Sequence, residues 1–151
     1  MPVTMEQVRA VLSPDEPDYD GASRLGPEAL PHLSELVLSG SPELASKAAS
    51  LAGRIAAEGS REVLEAAARS ANPVVRVAAA DAASNLPAQE ASGILVGLVA
   101  DEDRGVRQIA LESIDTEATE DLRSRIAQVS EDDPVPHIRE LASRTLDRLS
   151  R

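Results

Sequence analysis

The chain has 151 residues, a formal net charge of −11, no Cys, Phe or Trp, and a single aromatic residue, Tyr19. Disulfides and thiol chemistry are excluded, and a core limited to Ala, Leu, Val and Ile argues against a β-sheet domain, which favours aromatic and β-branched side chains. The acidity disfavours nucleic acid and anionic lipid as partners, residues 1–25 hold no apolar leader, and no stretch approaches the roughly 20 apolar residues of a membrane span. The expectation is one cytoplasmic domain over 1–151.

The first predicted helices fall near 4–12 and 18–25, a short pair that forms an irregular N-terminal repeat over 1–25. Between them, Glu16-Pro17-Asp18-Tyr19-Asp20-Gly21 follows a calcium loop in outline. Pro27 stands where that loop needs its last glutamate, and Glu28 comes one residue late. The acids therefore read as helix caps, and no metal is expected. The next helix, near 27–39, carries Leu30, Leu33, Leu36 and Val37 on one face. Others follow near 42–57, 60–70 (Val63, Leu64, Ala67, Ala68), 73–86, 88–100 (Ile94, Leu95, Leu98, Val99), 103–114, 119–130 and 135–149. Pro27, Pro42, Pro73, Pro87 and Pro134 sit at or near first turns, with Ser41, Asn72 and Asp133 as N-caps. Gly93 and Gly97 read as a point of close helix approach inside the stack. In the last helix, Ile138, Leu141, Ala142, Thr145, Leu146 and Leu149 form one stripe. Glu140, Arg144, Asp147 and Arg148 lie on the other side, as expected of a C-terminal cap over 134–151.

A repeat runs through these helices. Val75-Arg76, Val106-Arg107 and Ile138-Arg139 align, each followed three residues later by Ala79, Ala110 or Ala142. Asp133 takes the place of Asp101. One unit earlier, Leu44-Ala45 and Ala48 fit the same frame without the arginine. The steps from 45 to 76, 107 and 139 are 31, 31 and 32 residues. That period suits two helices and two tight turns, and predicts an all-α, right-handed α-solenoid of about five antiparallel helix pairs.

The units Asp101 to Ala110 (D-x-D-x-x-V-R-x-x-A) and Asn72 to Ala79 (N-P-V-V-R-V-A-A) resemble short bacterial HEAT-like repeats, the type also seen in phycobilisome bilin lyases. Leu25 to Leu33 resembles the start of such a repeat's first helix. The resemblance implies that Arg76, Arg107 and Arg139, with Asp101 and Asp133, form a structural ladder locking adjacent units, and not an anion-binding stripe. HEAT-like stacks include scaffolds, adaptors, bilin lyases and DNA glycosylases, so the fold does not choose among these functions.

No catalytic set is visible. His32 and His137 lie on helices of different repeats without ligand spacing, and the chain holds no P-loop, nucleophile elbow or dinucleotide fingerprint. No cofactor is expected. Solenoids bind along the concave face formed by the second helix of each pair. The register puts Val77, Asp81 and Asn85 there, with Gln108 and Glu112 beside them, a polar, acidic surface suited to a basic protein or peptide partner. The expected function is a non-catalytic interaction or scaffold module. A bilin-lyase-like enzyme or accessory subunit is the alternative, although one tyrosine offers little for stacking on a tetrapyrrole. Nucleic-acid binding ranks third, because it needs a basic groove.

Overall fold

The computed structural model describes residues 2–150. Ten α-helices follow in order: α1 (Met5–Leu12), α2 (Tyr19–Ala22), α3 (Leu30–Ser39), α4 (Pro42–Ile55), α5 (Ser60–Ala68), α6 (Pro73–Ala83), α7 (Ala88–Leu98), α8 (Arg104–Glu112), α9 (Glu120–Asp132) and α10 (Pro136–Leu149). Two 3-10 segments, Ser23–Leu25 and Pro27–Ala29, lead into α3. Among the described residues there is no strand, and no helix is long and apolar enough to cross a membrane. The arrangement is an α-solenoid. One layer holds α3, α5, α7 and α9 side by side, and the other holds α4, α6, α8 and α10. The short α1 packs on α3 and α4, and α2 packs on α4.

Local chemistry sets the helix starts. Thr4 and Gln7 form a capping box on α1. Asp18, Ser41, Asn72, Asp103 and Thr119 each accept a backbone N–H of the helix they precede, which satisfies a donor the helix cannot pair internally. Asp133 does not follow this pattern. The helix after it begins at Pro136 with Val135 as N-cap, and Asp133 is buried two residues earlier, where a second demand on its carboxylate takes over. Pro134 accordingly lies outside the helix.

The apolar faces interleave in one continuous core. Leu33, Leu36, Leu51, Leu64 and Leu111 are fully enclosed, each stabilising by about 1.5–3 kcal/mol relative to an exposed side chain. Between α4 and α6 the fillers are small: Ala48, Ala49, Ala52, Ala79, Ala80 and Ala83 are all completely buried. That seam also contains the glycine at which helices do approach closely. A Cβ at Gly53 would lie 2.7 Å from the Ala82 Cβ and 2.8 Å from its carbonyl oxygen. Gly93 and Gly97 are a different matter. Both face outward on α7, with nothing within 4 Å of an added Cβ, so the close approach expected of them does not occur.

The two kinds of glycine give opposite predictions. Gly53→Ala should destabilise by about 1–3 kcal/mol, because the added methyl has backbone against it. Gly93→Ala and Gly97→Ala should each stabilise by about 0.5–1 kcal/mol through helix propensity alone. Urea melts of the three variants check both signs.

Candidate functional site

Two features stand out at opposite ends of the second-layer helices. The first lies at their N-terminal ends. Arg76 is four residues past its cap Asn72, and its Nε and Nη2 donate to Asp101 Oδ2 and Oδ1 at 2.9 and 3.0 Å. Arg107 repeats the arrangement on Asp133, with Nε to Oδ2 at 2.6 Å and Nη2 to Oδ1 at 3.1 Å. The planar fork matches the carboxylate, and such paired charge-assisted bonds hold geometry as well as energy. The remaining Nη1 of each arginine reaches a carbonyl six residues back. Arg76 donates to Ser70 O at 2.9 Å, Arg107 to Asp101 O at 3.0 Å, and Arg139 to Asp133 O at 2.6 Å.

Asp101 and Asp133 therefore each serve two arginines, one through the side chain and one through the backbone. Each also accepts its own loop's N–H, from Asp103 and Val135, at 2.9 Å. The result is an unbroken line, Arg76–Asp101–Arg107–Asp133–Arg139, running across three repeats. Arg76 and Arg107 are only 8% exposed and Asp133 only 6%. The hydrogen bonds that Arg76 donates to Asp101 outweigh burial and raise the Arg76 pKa above its ordinary value.

The second feature lies at the other ends of α6 and α8. A groove of about 450 Å³ is lined by Asp81, Ser84, Ile109, Glu112, Ser113 and Asp115. Asp81 and Glu112, from successive repeats, both line it. Val77, Asn85 and Gln108 do not line it. Asn85 Nδ2 turns to Ala82 O, and Gln108 Nε2 donates to Glu112 Oε1 at 2.8 Å. Asp115 was missed because it follows the last predicted turn of its helix and has no place in the repeat frame. The groove is negative twice over. Besides three carboxylates, it sits at the C-terminal ends of two helices, where the helix dipoles place partial negative charge. The chain already places one cation at this end: Arg148 Nη2, reaching back from α10, donates to Ile114 O at 2.6 Å.

The other candidates are engaged locally. In the calcium-like segment, Asp18 Oδ1 accepts from Gly21 N, and Asp20 pairs with Arg54. Among the described residues no group of three or more His, Asp or Glu side chains is arranged to hold a metal ion. His32 Nε2 lies 2.8 Å from Val3 O and ties the N-terminal segment to α3. His137 is exposed on the first turn of α10. Tyr19 is half-buried, and burial, partly offset by Ser50, raises its pKa above the ordinary value.

A family model described as HEAT repeats matches residues 29–115, more than half of the chain. The chain belongs to the HEAT-repeat family. Among solved structures it is similar to a chain in the complex of CpcE and CpcF of phycocyanin lyase from Nostoc sp. PCC7120, with a TM-score of 0.70 and 20% identity, covering 93% of this chain and 96% of that one. At that identity the likeness is one of fold. No curated protein matches the chain.

Removing one member of a buried rung leaves the other without a counter-charge. Arg107→Ala should lower stability by about 3–5 kcal/mol, whereas Arg139→Ala, which loses one carbonyl bond, should cost about 0.5–1.5 kcal/mol. Urea midpoints of the two variants against the parent test this ordering.

Proposed function

We propose that this chain is a non-catalytic protein-interaction module, a single domain over 1–151 with 1–25 as an irregular first repeat and 134–151 as a cap. Its partner is a basic protein or peptide segment that lies across the concave face over α6 and α8. The single observation that carries this reading is the groove in which Asp81, Glu112 and Asp115 converge on two helix C-termini. Val77, Asn85 and Gln108 border the same helices and would contact flanking residues of the partner. A guanidinium or ammonium group entering the groove would find the carboxylates of Asp81, Glu112 and Asp115. The same field disfavours a phosphate backbone, so nucleic acid is the wrong ligand for it.

A second reading follows from the likeness to a phycocyanin lyase subunit: this chain would act as a bilin-lyase subunit or as an accessory to such an enzyme. One specific fact weighs against tetrapyrrole stacking here. The sole aromatic, Tyr19, is half-buried and does not line the groove. Addition of a bilin to the purified protein, followed by its absorption spectrum, separates the readings. An unshifted spectrum favours the interaction module.

The charge reversal Asp81→Arg with Glu112→Arg tests the proposal directly. Both positions are exposed, so the variant should melt close to the parent. Co-purification from the native host should lose the partner, and the parent complex should dissociate as salt is raised, because exposed charges are screened beyond about 8–10 Å. Survival of every native partner with the double variant would move the site elsewhere.

A further inference from the structure

The groove over α6 and α8 is not a closed compartment. Ser84, Ser113, Ile114 and Asp115 line both it and an adjoining cavity of about 130 Å³. That cavity lies between two connections at the same edge of the stack. Residues 84–87 join α6 to α7, and the longer stretch 113–119 joins α8 to α9. The longer connection forms one wall through Ile114, Asp115, Thr116 and Glu117.

The lining changes character with depth. Leu86, Leu95 and Leu122, all buried, supply apolar surface. Asp115 and Glu117, both exposed, supply carboxylates, and among the described residues neither is in an ion pair. One polar group reaches the cavity from the buried side. Ser92, only 2% exposed, accepts the Thr119 N–H at 3.1 Å. The other lining serines spend their hydroxyls on their own helices, Ser84 donating to Asp81 O at 2.8 Å and Ser113 to Ile109 O at 2.7 Å. The Ser92 O–H has no acceptor among the described residues. A cavity of about 150 Å³ holds a benzene-sized group, so this one suits a single aliphatic side chain. A purely apolar guest would leave the buried Ser92 donor unmet, which is unfavourable. A peptide brings a main-chain carbonyl along with its side chain.

We propose that the partner segment is recognised at two points, a cation in the groove and an aliphatic side chain of leucine size in the adjoining cavity. This rests on the reading of the groove as a site for a basic segment. In an extended chain, side chains two residues apart face the same way, roughly 7 Å from one another. Two compartments that share a wall therefore call for an aliphatic residue and a cation at that spacing. Asp115, on the shared wall, faces the cation from either side of it. The Ser92 hydroxyl donates to a main-chain carbonyl of the segment. The carboxylates steer any basic segment to the site, and the cavity selects among those that arrive.

Nitrogen–proton NMR titration of the whole chain with short capped peptides reads contacts of this strength. One probe carries arginine with leucine two residues away, in either order, among serines and glycines. The reference probe has glycine in place of the leucine. The parent should bind the leucine probe about tenfold or more tighter in one of the two orders, with the Ser92 and Thr119 amides shifting for that probe alone. Ala88→Leu, which fills the cavity from the half-buried first turn of α7, should abolish the preference and leave the reference probe's affinity unchanged. Ala91→Leu fills it from the next turn and serves if the first variant melts early. Asp81→Arg with Glu112→Arg, outside the cavity lining, should weaken both probes alike. Equal affinity for the two probes in the parent overturns the cavity proposal and leaves the groove standing. So does a leucine preference that survives a folded cavity-filling variant. Leucine-probe binding indifferent to the charge reversal overturns the groove reading and the two-point proposal built on it. Free leucinamide binding as tightly as the leucine probe makes the cavity a small-molecule site and overturns the peptide partner. Absence of binding by every probe overturns both readings.

Discussion

The buried guanidinium–carboxylate rung is the interaction on which the rest of this solenoid depends. Helix pairs with alanine-rich faces can pack in several registers, because small side chains offer little to distinguish one offset from the next. A forked arginine has no such tolerance. It needs its carboxylate in one plane at one distance, and a misplacement strands two charges away from water. Asp101 and Asp133 tighten this further by holding their own turns through Asp103 N and Val135 N. The position of the next repeat and the shape of the turn leading into it are thus decided by the same atoms.

That constraint reaches the groove. Arg76 and Asp81 are five residues apart on α6, and Arg107 and Glu112 are five apart on α8, about 7.5 Å along each axis. Fixing the rung at one end of these helices fixes the spacing of the carboxylates at the other. The acidic groove is built on two rigid helices whose relative placement is set elsewhere, which is how a surface of short side chains holds a defined shape without aromatic anchors. Between α4 and α6 a different device does the same work. With Ala45 and Ser70 in place of a rung, the seam relies on the close contact of Gly53 with Ala82.

Much of this was legible in the residues. The recurrence of Val-Arg and Ile-Arg with an alanine three residues on gave the period, and the period gave the helix pairs. The apolar stripes of α3, α5 and α7 marked their buried faces. What escaped was what depends on partners far away in sequence. Asp133 looked like a cap because it precedes a proline. Its burial beneath Arg107, 26 residues earlier, drew it into the rung and moved the helix start to Pro136. Gly93 and Gly97 carried a spacing associated with helix contact, yet a spacing does not say which way a face points. Gly53, flanked by ordinary alanines and Arg54, carried no such spacing. Of the surface residues, Asp81 and Glu112 followed from the register, while Asp115 lay in a loop where the register had ended.

The line of alternating charges lies along one edge of the stack, where loops enter the second-layer helices. The opposite edge, with the groove, has no such fork–carboxylate pair among the described residues; there Arg148 donates to the carbonyl of Ile114. Paired bonds between a planar fork and a carboxylate resist stretching, while methyl surfaces shear and part more readily. Repeats three to five are therefore joined like leaves on a common pin. The forked bonds at that edge oppose sliding of one repeat along the next.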